Sequence, residues 1–219
     1  MTPAQILIAL IPAAYLIGSI PFGLVVGLAK GIDPRKAGSG NIGATNIGRL
    51  LGGKFFALVF TLDLLKGAVP TLLAGAALHF TAGDRLTYLL WMLVGFAAIV
   101  GHLFSIFMKF KGGKGVATSA GVLLGIFPFF TLPAFFGVIV FLIVFALTKT
   151  ISLCSMIGAA AFPIIYAIIG NLKGWDILGA QLPLLAFAIF VPVMIIYKHR
   201  GNIARLRAGT EMRVGQKPA

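Results

Sequence analysis

The sequence predicts an all-α integral membrane protein: a single domain over residues 1–219 with seven transmembrane helices, some of them short. The amino terminus is expected outside and the carboxyl terminus in the cytoplasm. Three observations lead there. Hydrophobic residues make up 59% of the chain and charged residues only 11%, against about a quarter charged in an ordinary soluble domain; mean hydropathy is +1.05. Long runs carry no charge at all. The 18 Lys and Arg, against 5 Asp and Glu, gather on one set of loops. In so apolar a chain that excess fits cytoplasmic loops facing anionic lipid better than a nucleic-acid surface.

The first uncharged run is 1–29, longer than the roughly 20 residues needed to cross the hydrocarbon. No Lys or Arg precedes it, so it lacks the basic leader of a cleaved signal peptide. The second run, 55–83, is interrupted only by Asp63 and Lys66, and the third is 86–108. The stretch 115–148 is too long for one ordinary span and short for two. Pro128 and Pro133 sit in its middle, where a tight turn between two short helices is expected. Runs 150–172 and 177–197 complete the set. The 28 Gly and 19 Phe suit helices that pack closely in lipid.

Charge fixes the count at seven. With the amino terminus outside, the inner loops hold Lys30, Arg35, Lys36, Arg49 and Lys54; Lys109, Lys111 and Lys114; Lys149; and Lys198, Arg200, Arg205, Arg207, Arg213 and Lys217. Only Arg85 and Lys173 fall outside, and Lys66 lies within a span. Six spans would destroy this asymmetry. The single cysteine, Cys154, excludes a disulfide framework and a cysteine-based zinc site; it lies in an apolar run and reads as a buried structural thiol.

Three segments on the inner face combine glycine, small polar residues and positive charge: "GSGNIGATNIGRLLG" (38–52), "KFKGGKGVATSAG" (109–121) and "YKHRGNIARLRAGTE" (197–211). Glycine lets backbone N–H groups approach a ligand closely. A glycine-rich segment opening a helix, flanked by Lys or Arg, is a ready anion site. Phosphate is the natural ligand for that combination.

Three patterns in the chain mislead. Gly38, Gly40 and Gly43 fit G-x-G-x-x-G, with Asp63 twenty residues on, but "KGIDPRKA" before them has no strand pattern and Asp63 falls within a span. "GRLLGGKF" (48–55) has the spacing of a phosphate-binding P-loop, yet Phe55 stands where a magnesium-binding Ser or Thr belongs. "HFTAGD" places His79 and Asp84 at the H-x4-D spacing of acyl-CoA-dependent acyltransferases, but on the outer face, opposite the three clusters.

Taken together the clusters resemble the bacterial membrane glycerol-3-phosphate acyltransferases that use acyl phosphate as donor. The resemblance covers essentially the whole chain and rests on S-G-N-x-G-A-T-N-x-x-R (39–49), "GHLFSIFMKFKGGKGVAT" (101–118) and the third cluster. It implies transfer of a fatty acyl group from acyl phosphate to the sn-1 hydroxyl of glycerol 3-phosphate. The products are lysophosphatidic acid and phosphate, in the first step of phospholipid biosynthesis. It also implies a multi-pass protein of the bacterial inner membrane, in contact with membrane lipid, whose active site faces the cytoplasm. The enzyme that supplies acyl phosphate is an implied partner at that surface; no cofactor, metal or nucleic acid is expected.

Carried over by position, Ser39 and Arg49 match the family's essential serine and arginine, and Asn41, Thr45 and Asn46 match polar residues around the phosphates. Gly112, Gly113, Lys114 and Gly115 match the acyl-phosphate loop. His199 and Asn202 match a functional pair, and Glu211 a downstream acid. Ser39, His199 and Asn202 are thus the candidate catalytic residues.

The chemistry agrees. Both substrates are phosphate-bearing anions, and acyl phosphate is already activated. Asp33, Asp63, Asp84, Asp176 and Glu211 form no clustered metal-binding set. What remains is to position the hydroxyl, neutralise phosphate charge and stabilise an oxyanion. His199 is a candidate general base; the alternative is that the donor's own phosphate takes the proton. Ser39 has no evident acid partner for a Ser-His-Asp triad and reads as a phosphate ligand or orienting hydroxyl. Asp63 and Lys66, at i, i+3 on the second span, are either a mutual ion pair or a pocket wall. His102, near the inner end of the third span, reads as a structural hydrogen-bonding residue. A transporter for a phosphate-bearing anion is the competing class, but its sites sit near the midplane, often in paired repeats, and no internal repeat is evident.

Overall fold

The structure, a computed structural model, describes residues 1–81 and 83–215; Lys217, placed above in the basic tail, lies outside them. Among the described residues there are ten α-helices and no strand. The chain divides into two compact units, Met1–Phe127 and Pro128–Ala219.

In the first unit, α1 (Pro3–Ser19) opens with a capping box, Thr2 and Gln5 each satisfying the other's backbone N–H, and with Pro3 at a position where no donor is needed. Pro21 cannot donate to the preceding turn, so the helix breaks at Ile20–Pro21 and resumes as α2 (Phe22–Ala29). A loop then leads to the short α3 (Ala44–Leu51), whose Ala44 and Ile47 pack with Val59 and the surrounding Phe55, Phe56 and Phe60. Gly52, at φ +94°, makes the single-residue corner into α4 (Gly53–Ala77). This helix is followed by α5 (Arg85–Leu103), a short 3-10 turn at Ile106–Met108, and α6 (Val116–Gly125).

Glycine sets the packing here. A Cβ at Gly18 would overlap the Ala98 carbonyl and one at Gly101 the Tyr15 carbonyl, so α1 and α5 touch backbone to backbone. Gly67 meets the Thr118 carbonyl and Gly121 the Leu64 carbonyl in the same way, joining α4 to α6. Without a hydrophobic drive between helices in lipid, such close approach supplies the dispersion contacts that hold them. Trp91 of α5, fully buried, donates its indole N–H to the Thr71 carbonyl of α4 at 2.9 Å.

The second unit comprises α7 (Thr131–Thr148), α8 (Ile151–Leu172), α9 (Leu182–Lys198) and α10 (Arg200–Arg207). Its core is aromatic. The Phe130 ring meets Phe162, Tyr166 and Phe187 with centroids 5.1–5.9 Å apart, and the Tyr166 hydroxyl donates to the Gln181 side chain at 2.8 Å. Lys149, at φ +55°, ends α7. On that helix Phe135, Val138, Leu142, Ile143 and Leu147 are exposed, as expected of a face turned to lipid.

Five segments are long and apolar enough to cross a membrane: Pro3–Ala29, Gly53–Ala77, Arg85–Met108, Thr131–Thr148 and Ile151–Leu172. Leu182–Lys198 with Arg200–Arg207, bent by 57°, brings the number to six where the pair is counted as one span. The remaining apolar helix, α6, has 10 residues and spans about 15 Å, roughly half the hydrocarbon. The turn expected around Pro128 and Pro133 falls at 126–130; Pro128 lies within it and Pro133 is buried in the first turn of α7.

Candidate active site

The first loop is built around Asn46. Its side chain, 2% exposed, accepts the Ser39 N–H at 2.8 Å and donates to the carbonyls of Pro34, Ala37 and Asn41 at 2.8–3.1 Å. One amide therefore ties down the whole 34–41 segment. Gly38, at φ +61°, passes so close that a Cβ would overlap the side-chain oxygen Oδ1 of Asn46. Asn41 accepts the Gly43 N–H at 2.8 Å, turning the chain into α3. Asn41 and Asn46 thus shape the loop that presents the half-buried Ser39, and Thr45 and Arg49 follow, half-buried, along α3. At the loop entrance the Arg35 guanidinium, 2.7 Å from Asp33, holds that carboxyl at about 2.

The second loop folds back on the end of α5. Gly112 N–H donates to the Leu103 carbonyl and Gly113 N–H to the His102 carbonyl, both at 3.1 Å. A Cβ at Gly112 would overlap that His102 carbonyl, and one at Gly113 the His102 ring. Gly115, at φ +84°, opens α6 directly after the half-buried Lys114. Lys109 and Phe110 both adopt positive φ, which brings the loop round within a few residues.

Beneath this loop lies a buried ionic group. Lys66 Nζ is 2.8 Å from Asp63 Oδ1 and donates to the Ile20 carbonyl at 2.8 Å; His102 Nδ1 is 3.8 Å from the same carboxylate oxygen. Asp63 and Lys66 are therefore an ion pair and also part of a wall. They line a narrow crevice with Ser19, Phe22, Gly23, Ile42, His102 and Ser105, where the first loop, through Ile42, meets the end of α5. Sequence reading missed Ser19 and Ser105. Ser105 Oγ donates to the Ser19 carbonyl at 2.6 Å, a contact between positions far apart in the chain, and Ser19 Oγ donates to the Tyr15 carbonyl one turn earlier at 2.8 Å.

In the second unit, His199 and Asn202 sit at the start of α10, 3% and 5% exposed. His199 Nδ1 is 2.8 Å from the Ile195 carbonyl. Asn202 donates to Glu211 Oε1 at 2.6 Å, and the same oxygen accepts from Ser152 Oγ at 2.8 Å. Arg205 Nε donates to Glu211 Oε2 at 2.7 Å. Burial alone would raise the Glu211 carboxyl; the hydrogen bonds from Asn202, Ser152 and Arg205 outweigh it and hold the group below the usual carboxylate range. Val214 N–H donates to the Lys149 carbonyl at 2.8 Å, so the tail is fastened on both sides of Glu211. Arg205 was legible as the neighbour of Asn202 at i, i+3; Ser152 had no signal beyond a hydroxyl in the first turn of an apolar span.

The misleading patterns have structural explanations. The glycines of 38–43 follow no strand, and Asp63 is mid-helix. Gly52 and Gly53 mark a helix–helix corner. Asp84 caps α5 by accepting the Thr87 N–H at 2.8 Å, and that hydrogen bonding lowers its carboxyl; His79 lies in the turn after α4 at φ +53°.

Apolar helices joined by glycine-rich basic loops, with charged side chains buried inside the spans, define an integral membrane protein with a polar site at its helix ends. The family model described as glycerol-3-phosphate acyltransferase matches residues 8–209. A glycerol-3-phosphate acyltransferase of Geobacter sulfurreducens is 44% identical over 91% of this chain and 93% of its own. That of Geotalea daltonii is 40% identical over 93% and 95%. The crystal structure of PlsY (YgiH), an integral membrane glycerol 3-phosphate acyltransferase in its glycerol 3-phosphate form, is similar with a TM-score of 0.81 at 38% identity. That likeness covers 95% of this chain and 96% of the other. The chain belongs to the glycerol-3-phosphate acyltransferase family and is an acyltransferase.

Proposed function

We propose that the protein transfers a fatty acyl group from acyl phosphate to the sn-1 hydroxyl of glycerol 3-phosphate, releasing lysophosphatidic acid and inorganic phosphate. The observation that carries the acceptor and product is the likeness to PlsY, whose crystal structures include a glycerol 3-phosphate form and a lysophosphatidic acid form. The donor assignment rests on the chain's own loops. An acyl phosphate needs an anion cradle but no further activation, and the 112–115 turn supplies glycines, Lys114 and a helix start in succession.

In this reading the acceptor hydroxyl oxygen attacks the acyl carbonyl carbon, the bond from that carbon to the phosphate oxygen breaks, and phosphate leaves with the electron pair. The hydroxyl proton passes to the departing phosphate or to His199. Arg49 and Lys114 neutralise phosphate charge, Ser39 orients a phosphate or the hydroxyl, and Asn202, held by Glu211, acts with His199 as the functional pair of the third loop. Asn41, Thr45 and Asn46 shape the first phosphate pocket. Seven crossings, with α6 as a short one, put the three loops on the cytoplasmic side of a bacterial inner membrane. There the acyl-phosphate-producing enzyme is a fitting neighbour.

Purified protein in liposomes tests the proposal. Acyl phosphate plus glycerol 3-phosphate should give lysophosphatidic acid and phosphate in equal amounts, and acyl-CoA should not replace the donor. Turnover with acyl-CoA alone overturns the donor assignment, and flux of glycerol 3-phosphate without product overturns the enzyme reading.

A further inference from the structure

We propose that the turn 104–111 is a lipid-binding surface, inserted by its apolar side chains into the adjoining leaflet and tied by Lys109 and Lys111 to the phosphates of anionic phospholipid. Its height in the fold is fixed by α1. Ser105 Oγ donates to the Ser19 carbonyl and the Tyr15 hydroxyl to the Phe104 carbonyl at 3.0 Å, so the turn starts level with the end of that helix. The end of α1 lies beside the middle of α4, where Lys66 Nζ donates to the Ile20 carbonyl at 2.8 Å.

From that level α2 and the first half of α4 run on side by side. At one end the Phe22 ring centroid is 5.6 Å from Lys66 Nζ; at the other, Lys30 Nζ is 5.4 Å from the Phe55 ring centroid. Residues 55 and 66 of one helix are about 16 Å apart along its axis. Over that length the surface stays apolar: Val25, Leu28 and Leu58 are exposed, and no charged residue occurs in 21–29 or 55–62. The lipid-facing surface therefore extends well beyond the level at which the turn begins, as far as Lys30 and Lys54.

The turn cannot cross that depth. Phe110 N–H donates back to the Ser105 carbonyl at 2.8 Å and Gly112 N–H to the Leu103 carbonyl at 3.1 Å, closing it within a few residues. Its tip stays on the hydrocarbon side of Lys30 and Lys54. There Ile106, Phe107 and Phe110 are 48%, 62% and 61% exposed, an apolar patch that lipid would cover. Lys109 and Lys111, both exposed, flank Phe110. Their long stems can follow the apolar surface while the ammonium groups reach headgroup level, where a pair of cations favours an anionic phospholipid over a zwitterionic one. The backbone points the same way. Lys109 and Phe110 both adopt positive φ, +50° and +61°, a region glycine enters without penalty. A lysine and a phenylalanine held there supply two side chains that glycine would not.

The test uses purified protein in vesicles, with Phe107→Trp as the probe. Its added emission, over the baseline of Trp91 and Trp175 in the unsubstituted protein, should be quenched by phospholipid brominated along the acyl chain. At equal mole fraction, brominated phosphatidylglycerol should quench more than brominated phosphatidylcholine. Lys109→Gln combined with Lys111→Gln should lower that headgroup preference about fivefold or more, while quenching itself persists.

A nitroxide at Phe110→Cys, in a Cys154→Ser background, decides if the tryptophan variant does not fold. It should collide with dissolved oxygen in preference to a water-soluble nickel chelate. A label at Leu142→Cys, on the exposed face of α7, should do the same, and one at the exposed Lys36→Cys the reverse. Added emission that brominated lipid leaves untouched, or a nickel-accessible label at 110, would overturn the insertion and leave the turn in water for a soluble protein to cover. Equal quenching by the two lipids with both lysines present would overturn the choice of an anionic headgroup. Neither measurement needs turnover, so both decide even where acyl phosphate fails as donor.

Discussion

In the unit Met1–Phe127, helices meet through glycine and a buried ion pair lies inside a span; in Pro128–Ala219, helices meet through aromatic rings and the buried carboxylate, Glu211, sits in the tail. At Gly67 and Gly121 an added Cβ would strike another helix's carbonyl, whereas at Gly158 it would rest in ordinary contact, 3.5 Å from the Gly137 carbonyl. Asp63 pairs with Lys66 three residues away on one helix. Glu211, in the tail, instead gathers donors from α8 and α10. The difference follows from what each unit supports. The loops at 38–46 and 112–115 need backbone held at fixed distances, and close helix contact gives the stiffest frame. The short α10 and its tail have few apolar contacts, so a buried carboxylate with three donors fastens them.

The sharpest way to break this comparison is Gly121→Leu, which forces α4 and α6 apart. It should cost about 3 kcal/mol or more and abolish folded, detergent-stable protein in a size-exclusion assay, while Gly158→Ala should elute like the wild type. Equal tolerance at both sites would erase the distinction between the units.

Next come the cationic groups of the two loops in the first unit. Arg49→Ala and Lys114→Ala should each lower kcat/KM by about one to two orders of magnitude, since a charge-assisted phosphate contact is worth about 1.5–3 kcal/mol. Melting temperature should change little, which separates the site from its frame.

In the second unit Glu211→Gln leaves a carbonyl and an unwanted donor facing Ser152, Asn202 and Arg205, and should cost about 1–3 kcal/mol in thermal unfolding. The carboxyl is lowered in the folded state, so its contribution is full above the ordinary carboxylate value and is lost as pH falls through the lowered one. Wild-type stability should therefore drop more steeply in acid than that of Glu211→Gln; parallel pH profiles would show that the network does not titrate.

The smallest effect is expected where the misleading motif lies. Asp84→Ala removes an N-cap and should cost about 1 kcal/mol of stability, with activity kept, and His79→Ala should do less still. Activity assays on both variants, alongside Ser39→Ala, check that catalysis does not run through this pair.

Much of this was legible in the sequence because it depends on local rules. Charge-free runs mark the helices, and Pro21, Gly43, Gly52 and Gly115 stand at their breaks and ends. Even Asp84 could be read as an N-cap from its place before an apolar run. The roles of Asn46 and His102 were not legible. An asparagine among glycines resembles a phosphate ligand; only the folded loop shows its amide engaged by four backbone groups. His102 meets Asp63 from 39 residues away in the sequence and lies under Gly113 by virtue of a reversal at Lys109 and Phe110 that no residue type there announces.

The interruption at Ile20–Pro21 bears on how the protein is made. Its carbonyls are satisfied by side chains that come later: Lys66 donates to Ile20, and Ser105 donates to Ser19. In hydrocarbon an unpaired carbonyl costs several kcal/mol. Until the ribosome has delivered residue 66 and then residue 105, the interruption that Pro21 imposes therefore lacks two of the donors that satisfy it. Its hydrogen bonding is completed retrospectively, by segments that enter the bilayer after it.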